Sequence, residues 1–202
     1  ALAHHSALEI PEAITWYRQL LADGNEISPD SAQSNYITRA KVGLARCLAT
    51  AGRESPDELV EAEGHLRDIV EGRALVGPDA PEYREAMFQL GRVLADRQEW
   101  SEAVEVLETC LKRYPHDPRG PEYAARVGLC WREIAARAGE KLEGTPLSPG
   151  RRQEVALALT EALEQSVARF EQAISGLDSS ERPRLDTFEA VLLRSAYLRR
   201  AD

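Results

Sequence analysis

The chain has 202 residues, 43% of them hydrophobic, 29% charged and only 6% aromatic, a balance that buries a core and excludes a disordered polar chain. Its formal charge of -9 disfavours nucleic acid as a partner, because such a surface repels a phosphate backbone unless its cations segregate onto one face. No long apolar run occurs, so no membrane span is expected, and the opening "ALAHHSAL" lacks the basic-then-apolar form of a signal peptide.

Breakers at Gly24, Ser28 to Pro29, Gly52 to Pro56, Gly77 to Pro81, Pro115 to Pro121, Gly144 to Gly150 and Asp178 to Pro183 divide the chain. Val and Ile form no alternating runs, so the expected class is all-α with eight helices. The first, 9–23, reads "EAITWYRQLL" from Glu12. The second, 32–51, holds "KVGLARCL" around Gly43, and the third, 57–74, holds "EAEGHLRDIV" with Ala62. A fourth over 80–97 carries "QLGRVLA" around Gly91; a fifth over 101–114, with Ser101 as its expected N-cap, carries "EAVEVLETCL" with Ala103. The sixth, 120–141, follows "HDP", where Asp117 can cap and a proline suits a first turn, and holds "RVGLCWRE" around Gly128. The seventh, 150–177, holds "QSVARFEQAI" with Ser166 and Phe170, and the eighth, 184–200, ends in "LLRSAYLRRAD".

Two helix types alternate: one sets a glycine between apolar residues, the other sets a small residue four before an apolar one. That is an internal repeat. Gly91 sits in the apolar face of its helix, at a cost of about 1 kcal/mol against alanine. A second helix whose backbone comes too close for a side chain would offset that cost.

The stretch from Arg84 to Pro115 resembles the tetratricopeptide repeat, a helix-turn-helix unit of about 34 residues with a W-x2-L-G-x2-Y, A-x3-F, P signature. Met87, Leu90, Gly91, Leu94, Ala103, Leu107, Cys110 and Pro115 fall at its positions. The resemblance implies a right-handed α-α superhelix of antiparallel helices, with Gly91 and Ala103 facing each other where two helices cross. Units are expected at 32–74, 80–115 and 120–177, with partial units at 9–23 and 184–202, the whole chain being one repeat domain and a segment of a longer array.

Flanking units depart from the pattern. Gly43 and Ala62 are separated by the insertion "TAGRESPDELV", and Arg39 and Arg46 stand where the family prefers aromatics. Gly128 and Ser166 are separated further, by "GEKLEGTPLSPG" and a lengthened helix whose seam reads Val155, Leu159, Leu163, Val167, Phe170 and Ile174. That seam is too long for one repeat partner to cover.

Catalysis has no visible basis. His4, His5, His65 and His116 are scattered, and no GxGxxG, GKS/T, HExxH or GxSxG occurs. Cys47, Cys110 and Cys130 lack CxxC spacing and sit on apolar faces, which suits small buried hydrophobes. No enzyme, metal or cofactor is expected. The acidic runs, Glu99, Glu102, Glu105 and Glu108, and the crowd at Glu54, Asp57, Glu58, Glu61 and Glu63, read as solvated outer faces or as docking for a basic partner.

The resemblance also implies a function: binding of a protein or peptide in a concave groove lined by the first helix of each unit. Family positions carried over give Ala40, Lys41, Leu44 and Leu48, then Phe88, Gln89, Arg92 and Asp96, then Ala125, Arg126, Leu129 and Glu133. Lys41, Arg92 and Arg126 would meet a carboxylate, while Leu44, Phe88 and Leu129 would anchor apolar groups beside Gln89. The carboxylate clamp of heat-shock co-chaperones is not implied, since Ala40, Leu44 and Gln89 replace its polar residues. "YPHDP" at Tyr114 to Pro118 resembles junctions in bacterial cell-envelope tetratricopeptide proteins, which leaves cytoplasm and periplasm both open. The alternative reading is an assembly segment or homodimer that packs through helix 150–177 and the terminal helices.

Overall fold

The computed structural model describes residues 10–24, 31–52, 55–73, 76–144 and 146–178. Seven helices and no strand occur among the described residues: α1 (Ile10–Gly24), α2 (Ser31–Ala51), α3 (Pro56–Val70), α4 (Pro81–Asp96), α5 (Trp100–Arg113), α6 (Gly120–Gly144) and α7 (Pro149–Asp178). The expected eighth helix, 184–200, lies outside the described residues, as do His4 and His5.

Boundaries follow local chemistry. Ser55 precedes Pro56 at the start of α3, and Ala80 precedes Pro81 at the start of α4; each proline occupies a first-turn position where its missing N–H costs nothing. α3 ends at Val70 rather than at 74, because Glu71 closes it and Gly72 turns the chain with φ of 79°, a conformation glycine adopts without strain. Ser101 is not an N-cap. Gln98, at φ 64°, folds the chain so tightly that Glu99 already donates its N–H to the Leu94 carbonyl at 2.9 Å, and α5 starts at Trp100. Before α6, the Asp117 carboxylate accepts the Arg119 N–H at 2.8 Å in a local turn, but α6 starts at Gly120, so Asp117 does not cap it and Pro118 precedes its first turn.

The chain divides into two compact units, residues 1–99 and 100–202. In the first, α2 packs against α1, α3 and α4, and α3 packs against α4. Paired contacts fix direction. Gly52 approaches Leu59 while Lys41 reaches Asp68, so α2 and α3 run antiparallel. Tyr83 donates to the Val70 carbonyl and Arg97 pairs with Glu63, so α3 and α4 do as well. Arg18–Glu61 ties α1 to α3, and Arg39–Glu82 ties α2 to α4.

In the second unit α6 lies between α5 and α7. Arg152 reaches the Leu142 carbonyl, Ser166 donates to the Gly128 carbonyl at 2.9 Å, and Gly176 lies against Pro121. The paired numbers fall on one side as they rise on the other, so α6 and α7 are antiparallel. A methyl group built on Gly128 would stand 3.1 Å from the Phe170 ring and 3.2 Å from the Ser166 carbonyl. Glycine, serine and phenylalanine therefore meet at one crossing across the long insertion.

Gly43 behaves differently. Its added methyl would meet the Tyr17 ring of α1 at 2.6 Å, so its closest neighbours lie on α1 and not at Ala62 of α3. Ala62 and Leu90 are themselves buried. The expected pair 80–115 is split by the division between units: buried Gly91 belongs to α4 in the first, and buried Ala103 to α5 in the second. Pro115 is exposed after α5.

Candidate functional site

The residues expected to line a groove do not all reach solvent. Leu44 is 0% exposed, Phe88 and Gln89 are 3% exposed, and Ala40, Leu48 and Ala125 are buried with them. Contact by Leu44, Phe88 or Gln89 with a partner is thereby corrected to a core role. The reason for α2 is crowding, since three helices pack on it and cover the face that carries Leu44. Gln89 donates its amide to Glu85 on the same helix at 2.8 Å. Leu129 is half-buried and packs on Phe170 and Ile174, which makes it part of the α6–α7 crossing.

Three cationic positions stay half-buried: Lys41, Arg92 and Arg126. Lys41 places Nζ 2.9 Å from an Asp68 oxygen, and Asp68 also accepts from Arg73 at 2.7 Å. Burial opposes ionisation of Asp68, yet the Lys41 and Arg73 bonds hold its carboxyl below the usual range. Arg126 sits 3.5 Å from Glu122 one turn back. Each of the three keeps part of its surface exposed.

The acidic crowd is partly internal wiring. Glu63 is 9% exposed and accepts from Arg67 at 2.6 Å while pairing with Arg97, which joins α3 to the turn after α4. Glu61 accepts from Nε and Nη2 of Arg18, and Glu108 of α5 takes Arg169 of α7 at 2.8 Å. Glu61, Glu63 and Glu108 thus tie helices together rather than forming a solvated face.

Among the histidines described, His116 is exposed and His65 is half-buried 3.8 Å from Glu61. The three cysteines are buried. No group of metal-binding side chains occurs among the described residues, and no helix there is long and apolar enough to cross a membrane.

Sequence reasoning missed a cavity of about 470 Å³ in the second unit, walled by Leu111, Tyr114, Pro118, Pro121, Gln172 and Leu177. Its only signal was the proline-rich turn, which marks a boundary without revealing that α7 comes back beside it. Exposed Trp16 at 55% and Leu20 at 45% on α1 and Leu157 at 65% on α7 were equally hard to foresee, whereas Leu163 and Val167, at 48% each, belong to the α7 seam expected to be only partly covered. The expected seam on α7 therefore splits, with Phe170 and Ile174 inside and Leu163 and Val167 outside.

Compared with known proteins, the chain matches no family model, no curated sequence and no solved structure.

Proposed function

We propose that the chain is a non-catalytic interaction scaffold of the tetratricopeptide kind, binding a peptide that sets an acidic residue beside an apolar one. The observation that carries this reading is the neighbourhood of α2 and α4, two glycine-bearing helices that pack side by side and hold Lys41 and Arg92 half-buried. Arg126 offers the same chemistry on α6 of the second unit. A peptide carboxylate would exchange with Asp68 at Lys41 and with Glu122 at Arg126, forming charge-assisted hydrogen bonds in a partly desolvated place. With Leu44 and Phe88 inside, the apolar contacts come from the aliphatic stems of the same cations. The right-handed superhelix belongs to the same proposal, supported by the antiparallel pairs α2–α3 and α6–α7. An immobilised peptide array tests it: sequences pairing Asp or Glu with Leu or Phe are retained, and equal retention of their Lys-substituted counterparts would contradict the reading.

A further inference from the structure

The turn from Tyr114 to Pro121 builds a rigid wall in the second unit. Asp117 donates its N–H to the Tyr114 carbonyl at 3.1 Å, Gly120 donates to the Asp117 carbonyl at 2.8 Å, and the Asp117 carboxylate accepts the Arg119 N–H at 2.8 Å. Pro115, Pro118 and Pro121 belong to the same turn, and each ring fixes its own φ. α7 closes the other side, its backbone so near that a methyl group added at Gly176 would stand 2.8 Å from the Pro121 ring. Leu111, on the wall between them, packs against the buried cluster of Ala124, Ala125 and Ala173. The cavity so enclosed measures about 470 Å³, within the roughly 300–1,000 Å³ of ligand sites.

We propose that this cavity receives the aromatic ring of a tyrosine from a partner peptide. Proline rings present flat C–H faces that pack on π-faces, the pairing by which aromatic grooves hold proline-rich peptides, here with the partners exchanged. The Tyr114 ring adds an offset aromatic contact, and Leu111 and Leu177 supply apolar bulk. Charge argues for an uncharged group. Among the described residues no lysine or arginine lines the cavity, and its one carboxylate, Asp117, lies 3.6 Å from Arg119 Nε besides taking the Arg119 N–H. Polar contact comes from exposed His116 and Gln172. Gln172 Oε1 accepts from Arg169 at 2.8 Å, so its Nε2 is the group left to donate, which suits a phenolic oxygen or a peptide carbonyl. The volume exceeds that of one ring and leaves room for flanking backbone, which favours a peptide over a free phenol. Because the wall is held before binding, little ordering entropy is lost. The cavity shares no residue with Lys41, Arg92 or Arg126, and a tyrosine needs no carboxylate, so the site stands apart from the acidic-peptide reading.

Ligand-detected NMR titration of the full chain with glycyl-tyrosyl-glycine capped at both ends, its leucyl counterpart and p-cresol tests it. The tyrosyl peptide should bind roughly tenfold more tightly than either of the others. Gln172→Trp sets an indole over the mouth and should weaken that peptide by roughly tenfold or more. Pro118→Ala removes one ring of the wall and should weaken it roughly threefold. Both positions are exposed, so neither change opens the core, and thermal melting by circular dichroism checks that each variant stays folded. Arg126→Ala should leave the affinity unchanged. No binding, equal binding of the leucyl peptide, or undiminished binding by Gln172→Trp would overturn the proposal. Binding of p-cresol as tight as that of the peptide would assign the cavity to a free phenol, and weakening by Arg126→Ala would move the peptide to the other site; each overturns it as well.

Discussion

At the scale of single residues, two glycines in helix interiors carry opposite meanings. Gly128 is held by neighbours, with the Phe170 ring and the Ser166 carbonyl just beyond 3 Å from an added methyl, whereas Gly64 on α3 has nothing within 4 Å. Gly64→Ala should therefore raise stability by up to about 1 kcal/mol through helix propensity alone. Gly128→Leu should lower it by about 1–3 kcal/mol, because overpacking at the crossing outweighs the same propensity gain. Urea midpoints of the two variants decide the matter; equal shifts in one direction would deny that Gly128 is a contact point. This contrast was half legible. The small-then-aromatic spacing of Ser166 and Phe170 pointed to Gly128, because a close helix approach needs a missing side chain and a partner to fill the space. Leu44 was misplaced for a complementary reason: a repeat position says which way a residue faces within its own pair, but not that α1 and α4 also close in on α2.

At the scale of elements, the joints of the first unit are charged as well as apolar. Partial burial holds the His65 imidazole below its ordinary value of about 6.5, with Lys41 adding to that effect while Glu61 and Asp68 oppose it. A depressed histidine means that the unfolded chain takes up the proton first as pH falls. Stability should thus decline from about pH 6.5 down to the lower folded value. Arg18 bonding depresses Glu61 despite its burial, so the stabilisation from the α1–α3 tie is present above about pH 4.3 and lost as pH falls through the lower folded value. Urea unfolding of His65→Gln between pH 7 and pH 5.5 should give a flatter stability curve than the parent chain; an unchanged slope would mean that His65 does not titrate with folding. Helix positions themselves were readable to within a few residues, since periodicity, Pro56 and Pro81 mark them. The start of α5 was not, because the left-handed turn at Gln98 carries no glycine to announce it.

At the scale of the whole molecule, each compact unit is a set of helices joined by short connections, and the antiparallel pairs α2–α3 and α6–α7 follow the alternation seen in the sequence. Function was less legible than fold. Family positions could nominate Lys41, Arg92 and Arg126, but only packing could remove Leu44, Phe88 and Gln89 from the surface and turn Glu61, Glu63 and Glu108 into ties between helices. The proposed scaffold would meet its partner through cations on a chain that is acidic overall. The central claim is that these cations receive a carboxylate. Fluorescence titration of an acidic-apolar peptide from the array, against the parent chain and Arg92→Ala/Arg126→Ala at low and moderate salt, measures it directly. Affinity should fall by roughly tenfold or more in the double variant, with a shallower salt dependence; undiminished affinity with an unchanged salt slope would contradict the account.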